Sequence, residues 1–169
     1  FCANYQRGPD KKLKLIDDPA TSIFGRTASF ESGGGGLTGT IDDYMRFCEM
    51  LRRGGELDGV RILGPRTREM MHMNRLPGGQ DLSTMAIGSF SETANDGVGF
   101  GLGFASTKGQ VETASLGAGD YYWGGAASTI FWVDPKEELS VVFMTQLMPS
   151  GTFNFRGQLK SLIYSAIVD

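Results

Sequence analysis

The apolar residues recur at helical spacing most clearly between Thr40 and Gly54. Thr40 precedes this run, and Asp43 lies three positions after Thr40, a spacing close to that of a capping box. Two arginines and then Gly54 close the run, which is typical of a helix C-terminus. The pattern predicts a helix whose apolar face carries Ile41, Tyr44, Met45, Cys48 and Met50 or Leu51.

Two further segments show helical patterns. Gly64 and Pro65 open a short methionine-rich segment that ends near Asn74, since proline is favoured at the first position of a helix. Residues 77–97 that follow are polar and glycine-rich, which favours a loop. The last pattern predicts an amphipathic C-terminal helix with Phe155, Leu159, Leu162, Ile163, Ala166 and Ile167 on one face.

Strand patterns occupy the region between these helices. The run from Gly97 to Phe104 alternates apolar residues with glycine, which predicts one strand whose bare face lets another element approach closely. Residues 110–115 are a candidate partner strand. Thr129–Val133 and Leu139–Leu147 flank an Asp-Pro corner and predict a hairpin with both faces covered, because they are almost continuously apolar.

The predicted fold is therefore α+β, an antiparallel sheet flanked by helices. Residues 1–31 show little periodicity and carry turn signals, so we predict an extended N-terminal arm there. Residues 32–169 are predicted to form one α/β domain, which is a usual size for a single core.

Composition narrows the function classes. The chain has 169 residues and a net charge of −3 with mixed signs, which argues against a nucleic-acid-binding surface. It has no apolar run long enough for a membrane span. One histidine and two separate cysteines make a zinc site improbable.

Two candidate motifs are better explained structurally. Gly34–Gly39 fits the G-x-G-x-x-G pattern of dinucleotide-binding loops, but the segment before it is too polar to be the strand that such a site needs. We interpret it as a glycine turn into the helix. His72 has no apparent acidic partner to orient it as a general base, so we predict an ordinary surface or packing residue.

The stretch YYWGGAAS, residues 121–128, places three large aromatic residues beside four of the smallest. One explanation is a strand entry in which Trp123 fills the core and the glycines allow a close crossing. The other is a strand edge that receives a ligand. The residue types alone leave both explanations open.

Four segments in order support the second explanation: SGGGGLTGTIDDYMRF, GELDGVRILGP, GVGFGLGF and YYWGGAASTIFWVDPKEELSVVFMTQ. Together they resemble the C-terminal portion of the serine β-lactamase-like family, which includes class C β-lactamases, penicillin-binding proteins and related esterases. The aromatic form of the last segment is most similar to the esterase branch. The resemblance extends from Ser32 onward and implies a transpeptidase-like fold.

The resemblance also implies roles for individual residues. Trp123-Gly124-Gly125 matches the strand motif that lines the family's active site, often Lys-Thr-Gly and in some esterases Trp-Gly-Gly. It assigns to Ala126 the backbone N–H of an oxyanion hole, with Gly125 beside it, and to Tyr122, Trp123 and Gly124 the substrate pocket. Because Trp123 stands where a cationic residue is common, a neutral ester is the expected substrate. No metal or cofactor is implied.

The family's nucleophile belongs to an S-x-x-K motif and a second catalytic group to Y-x-N. In these 169 residues no serine precedes a lysine by three positions and no tyrosine precedes an asparagine by two. We therefore expect residues 32–169 to be the C-terminal part of a truncated β-lactamase-like domain, whose parent hydrolyses an ester, amide or β-lactam through a serine acyl-enzyme. This fragment is expected to be inactive alone and to form a dimer or higher assembly through an exposed sheet face. A non-catalytic module that binds a ligand or peptide is the alternative. The sequence indicates no cellular compartment.

Overall fold

The structure is a computed structural model that describes residues 1–85, 96–109 and 119–168. Its helices are α1 (Ile41–Arg52), α2 (Pro65–His72), α3 (Leu82–Met85) and α4 (Phe155–Tyr164). Its strands are β1 (Asn4–Arg7), β2 (Leu13–Asp17), β3 (Glu56–Leu57), β4 (Val60–Arg61), β5 (Val98–Phe100), β6 (Ala105–Thr107), β7 (Tyr121–Gly124), β8 (Ile130–Asp134), β9 (Leu139–Phe143) and β10 (Leu147–Met148).

The central sheet in the described part of the chain has the order β5-β6-β7-β8-β9, and every neighbouring pair is antiparallel. Trp123 lies opposite Phe131, which lies opposite Val142, so these three residues form one row across β7, β8 and β9. Side chains of successive strand residues alternate between the two faces of a sheet. The α+β architecture predicted from the sequence is confirmed.

Helix α1 covers one face of this sheet, over β8 and β9. The Thr40 hydroxyl oxygen accepts a hydrogen bond from the Asp43 N–H at 3.1 Å, which confirms the predicted N-cap. Cys48 and Leu51 of this helix are buried in a cluster with Phe104 and Tyr121. The amphipathic pattern therefore indicated both the helix and the side that packs.

Helix α4 covers the opposite face through Leu159 and Ile163. This face also contains a buried ion pair, in which Lys160 Nζ lies 2.6 Å from Asp120 Oδ2. The hydroxyl of Tyr164 donates to Asp134 Oδ2 at 2.8 Å in the same layer. The predicted C-terminal helix is confirmed, although it ends at Tyr164 and so stops before Ala166 and Ile167.

The glycine-rich run beginning at Gly97 is not one strand. β5 ends at Phe100, the chain turns over residues 101–104 with Gly103 at a φ of +102°, and β6 pairs back on β5. The prediction of a single strand to Phe104 was wrong because a tight turn interrupts it. The predicted partner at residues 110–115 lies outside the described residues.

The close approach predicted for the glycine face is confirmed. A Cβ atom on Gly101 would lie 2.1 Å from the carbonyl oxygen of Met71, and one on Gly99 would lie 2.4 Å from the side chain of Asn74. Only a residue without a side chain leaves room for Met71 at the end of α2 and for Asn74 just after it.

The hairpin β8–β9 is confirmed, with unequal burial. Every residue of β8 is buried, whereas those of β9 are only partly buried. The chain leaves the sheet after Phe143 and forms β10, so the apolar run to Leu147 is not one continuous strand.

The first 31 residues contain the β1–β2 hairpin, and β1 pairs in parallel with β10 near the other end of the chain. Tyr5 lies opposite Leu147 in this pairing. The boundary between an N-terminal arm and a domain beginning at residue 32 remains a prediction.

Candidate active site

The segment predicted to form the site is a tight turn between β7 and β8. Gly125 N–H donates to the Thr129 carbonyl at 3.0 Å, and Ser128 N–H donates to the Gly125 carbonyl at 3.1 Å. Ser128 has a φ of +68°, in the left-handed region. Three-residue hairpin loops commonly have this form, a type I turn followed by a left-handed residue.

Ala126 is the first residue of this turn and is exposed. Its N–H makes no hydrogen bond within the described part of the chain, whereas Gly125 and Ser128 use theirs to close the turn. A backbone donor at an exposed turn that is not used by the fold is free to bind an acceptor from outside. The geometry is compatible with the role that the resemblance implies for Ala126.

A cavity of about 190 Å³ lies beside the turn, on the α1 face of the sheet. The row Trp123, Phe131 and Val142 forms part of its wall. The remaining lining residues are Tyr44, Gly124, Gly125, Thr129, Ile130, Phe143 and Met144. The cavity is therefore apolar, with polar groups concentrated near the turn.

Trp123 and Tyr44 define the aromatic part of this wall. Trp123 packs edge-on against Phe100 with ring centroids 5.2 Å apart, and Tyr44 lies 5.2 Å from the ring of Phe131. Burial raises the pKa of the Tyr44 hydroxyl. The sequence placed Tyr44 only on the packing face of a helix, and no motif indicated that it lines a cavity.

Tyr122 is not among the cavity residues. It is buried on the α4 face, where the Lys160 ammonium lies 4.6 Å from its ring centroid. Because neighbouring strand residues point to opposite faces, Trp123 and Tyr122 do not share a pocket. Tyr122 thus lies on the face opposite this cavity, and its predicted role in the substrate pocket stays a prediction.

Gly125 has a steric reason to be glycine. A Cβ atom at this position would lie 2.2 Å from the hydroxyl oxygen of Thr129. The absence of a side chain thus lets Gly125 and Thr129 form the hydrogen-bonded pair that closes the turn.

The turn is also attached to β10. The Ser128 hydroxyl donates to the Leu147 carbonyl at 2.6 Å, and the Leu147 N–H donates to the Ala127 carbonyl at 3.1 Å. Two hydrogen bonds therefore hold the far side of the turn, away from Ala126.

His72 lies in a packed layer. Its ring stacks on Tyr121 with centroids 4.6 Å apart, and Arg68 Nη1 lies 3.0 Å from its Nε2. Because arginine only donates, this geometry assigns Nε2 as an acceptor in a neutral ring. Burial and the neighbouring Arg68 lower the pKa of His72, which agrees with a packing residue.

The other sequence candidates do not form a site. Gly34–Gly39 lies in an exposed irregular segment that leads into α1. Over residues 1–85, 96–109 and 119–168 no group of three or more potential metal ligands is brought together. Within the same ranges no helix has the length and apolar character to cross a bilayer.

Comparisons with known proteins agree with the fold and with the motifs. A family model described as β-lactamase matches residues 2–163, so the chain belongs to the β-lactamase family. Over 125 residues the chain is 34% identical to protein Rv1367c of Mycobacterium tuberculosis. This match covers 72% of the chain and 30% of the relative, so the chain spans under a third of that protein.

Solved structures show the same fold. The LovD6 mutant of simvastatin synthase from Aspergillus terreus superposes with a TM-score of 0.69 and 22% identity, covering 97% of this chain and 44% of that one. EstCE1, a hydrolase with promiscuous acyltransferase activity, gives a TM-score of 0.68 at 25% identity, covering 94% of this chain and 41% of its own. The predicted membership in a serine β-lactamase-like family with esterase-type relatives is thus confirmed.

Proposed function

We propose that this chain supplies the oxyanion-binding edge and the acyl pocket of a serine hydrolase that cleaves neutral esters through an acyl-enzyme. The observation that carries the proposal is the position of the Ala126 N–H. It is exposed and unused on a rigid turn whose flanking residues line an apolar cavity.

The role of each group follows from acyl-transfer chemistry. A serine hydroxyl from the portion of the enzyme that carries S-x-x-K gives its proton to a base of that portion and attacks the ester carbonyl, whose oxygen becomes an anion. The Ala126 N–H donates to this oxyanion, a contact that is typically worth about 3–4 kcal/mol in the transition state. The same proton then passes to the leaving alkoxide, which departs as the alcohol, and water releases the acyl group from the serine.

The cavity favours an uncharged apolar acyl group. Trp123, Phe131 and Val142 offer hydrophobic surface, and none of the cavity residues carries a positive charge. Binding of a substrate carboxylate, as in most β-lactams, would lack a cationic partner here. The likeness to EstCE1, a hydrolase with promiscuous acyltransferase activity, supports acyl-transfer chemistry in general.

The test compares two polypeptides, the product of the complete reading frame and the 169-residue chain alone. We expect the first to hydrolyse p-nitrophenyl butyrate and to be labelled on one serine by a fluorophosphonate probe. We expect the second to do neither. Turnover by the isolated chain with a labelled serine would contradict the proposal, as would an upstream sequence lacking S-x-x-K and Y-x-N.

The alternative is a non-catalytic module that uses the same cavity to bind a ligand or peptide, because apolar pockets bind ligands with or without chemistry. In that case the complete product would bind butyrate esters, detected by quenching of tryptophan fluorescence, and would leave them intact. Trp123 lies in the wall, so a ligand in the cavity would lie beside an indole ring.

We also propose that the isolated chain self-associates through the α1 side of the sheet. In the described residues β9 is an edge strand, and the neighbouring α1 exposes Ile41, Tyr44 and Phe47. Open strand edges beside apolar surface favour pairing with a second copy. Light scattering at increasing concentration tests this expectation, and a constant monomer mass would contradict it.

A further inference from the structure

Arg156, the second residue of α4, contacts the turn that carries Ala126. Its Nη2 donates to the carbonyl oxygen of Gly125 at 3.0 Å and to that of Thr129 at 3.2 Å. These two carbonyls lie on either side of the three-residue turn. One guanidinium nitrogen therefore bridges the two ends of the loop.

The contacted carbonyl belongs to the same peptide group as the proposed oxyanion donor. A peptide group is planar and usually trans, so the Gly125 C=O and the Ala126 N–H point in opposite directions. Fixing the carbonyl oxygen consequently fixes the direction of the N–H. The arginine lies on the carbonyl side and does not compete for the acceptor that the N–H would bind.

The positive charge of Arg156 has a second effect on this peptide. A hydrogen bond to a carbonyl oxygen polarises the peptide and makes its N–H a stronger donor, and a charged donor does so more than a neutral one. The half-buried position of Arg156 reduces screening of this effect by solvent.

The guanidinium is held in place by the start of α4. Asn154 caps the helix by accepting from the Gly157 N–H at 3.0 Å, and Phe155 packs against Phe143 with ring centroids 5.7 Å apart. One turn further along, Lys160 is fixed by its buried ion pair with Asp120. Arg156 thus extends from a helix anchored on both sides of it.

We propose that Arg156 is a positioning residue that orients and polarises the Ala126 N–H for binding of the oxyanion. This inference rests on the function proposed above, because it gives the N–H its acceptor. Sequence reasoning did not identify Arg156, since an arginine in an amphipathic helix is ordinarily a solvated residue. Only its distance to two backbone carbonyls indicates the role.

The first test measures the peptide itself and does not require catalysis. In the 169-residue chain, Arg156→Met is expected to move the Ala126 amide proton resonance upfield, because a less polarised N–H is less deshielded. Arg156→Lys, which keeps a charge with a less suitable geometry, is expected to give intermediate values. Arg66→Met, an exposed arginine of α2, is the matched control and is expected to leave the resonance unchanged.

The second test uses the product of the complete reading frame and p-nitrophenyl butyrate. Arg156→Met is expected to lower kcat by roughly 10- to 100-fold with little change in KM, because a misdirected donor loses part of what a deleted one loses. Arg156→Lys is expected to recover part of kcat. Arg66→Met is expected to match the unmodified enzyme.

The outcomes separate this inference from the proposed function. An unchanged Ala126 resonance in a folded Arg156→Met or Arg156→Lys chain overturns the inference, whatever the activity. An unchanged kcat in either variant of an active enzyme also overturns it. If the unmodified product has no esterase activity, the proposed function fails and the amide resonance alone decides whether Arg156 orients the peptide.

Discussion

The two faces of the central sheet differ in how the side chains of the same strands are packed. On the α4 face Val98, Tyr122 and Trp132 are sealed in a buried layer, although Val141 and Phe143 of β9 stay partly buried. The same face holds the buried ion pair of Lys160 with Asp120. On the α1 face the row from Trp123 to Val142 borders an apolar cavity. Tyr122 and Trp123 are neighbours in the chain, yet one belongs to the sealed layer and the other to the cavity.

This difference indicates that one face of the sheet supports the structure, whereas the other borders the cavity. A binding cavity requires open apolar surface, which weakens packing on that side. The opposite face carries the buried ion pair of Lys160 with Asp120, a polar contact that specifies one arrangement of the side chains. The role proposed for the Ala126 N–H would require this support, because an oxyanion donor must be in place before a substrate arrives.

The largest effect is expected on the sealed face. Lys160→Met keeps the apolar stem but leaves Asp120 buried without its ammonium partner, and we expect the free energy of unfolding to fall by about 3–5 kcal/mol. Urea denaturation followed by circular dichroism measures this loss. The double variant Lys160→Met with Asp120→Asn is expected to recover much of it, and equal losses in both would contradict the assigned ion pair.

An intermediate effect is expected at the turn that joins β7 to β8. Gly125→Ala places a Cβ against the hydroxyl of Thr129, and we expect a loss of about 1–3 kcal/mol in the free energy of unfolding. Adding Thr129→Ala removes that hydroxyl and should restore most of the loss. Gly151→Ala is the control, since nothing lies within 4 Å of its added Cβ.

The smallest effect is expected from His72, the last residue of α2, whose ring stacks on Tyr121. Its folded pKa is lowered, so below its ordinary value of 6.5 the unfolded chain binds a proton that the folded chain resists. The free energy of unfolding should therefore fall as the pH drops below about 6.5, by less than about 1.4 kcal/mol per pH unit, the slope for one whole proton.

His72→Phe preserves an aromatic ring against Tyr121 and should remove this part of the pH dependence. Because His72 is the only histidine, its ring resonance in a proton NMR titration is unambiguous. A midpoint at or above 6.5 in the folded chain would contradict the assigned burial.

Local patterns predicted local structure well. Thr40 and the spacing after it fixed the start of α1, and the bare glycine face correctly indicated a close neighbour at Gly99 and Gly101. The run from Gly97 failed because period-two alternation does not distinguish a continuous strand from a strand that turns at a glycine. The positive φ of Gly103 is a property of the backbone that composition alone does not reveal.

Sequence patterns identified only some of the residues near the cavity. The roles that the motif implies for Ala126, Trp123 and Tyr122 stay predictions, and the alternation of strand side chains puts Tyr122 and Trp123 on opposite faces. Tyr44 and Arg156 reach the cavity and the turn from helices far away in sequence. Such contacts depend on how elements pack, so no spacing rule within one segment identifies them.

The attachment of Ser128 and Ala127 to Leu147 has a consequence for the order in which parts of the molecule fold. Leu147 belongs to β10, which also pairs with β1, where Tyr5 lies opposite Leu147 although the two residues are far apart in the sequence. Contacts between such distant segments form slowly, because a long loop must close first. The bond from Ser128 to Leu147, by contrast, spans only 19 positions, so the turn can be attached to β10 before β1 pairs with that strand.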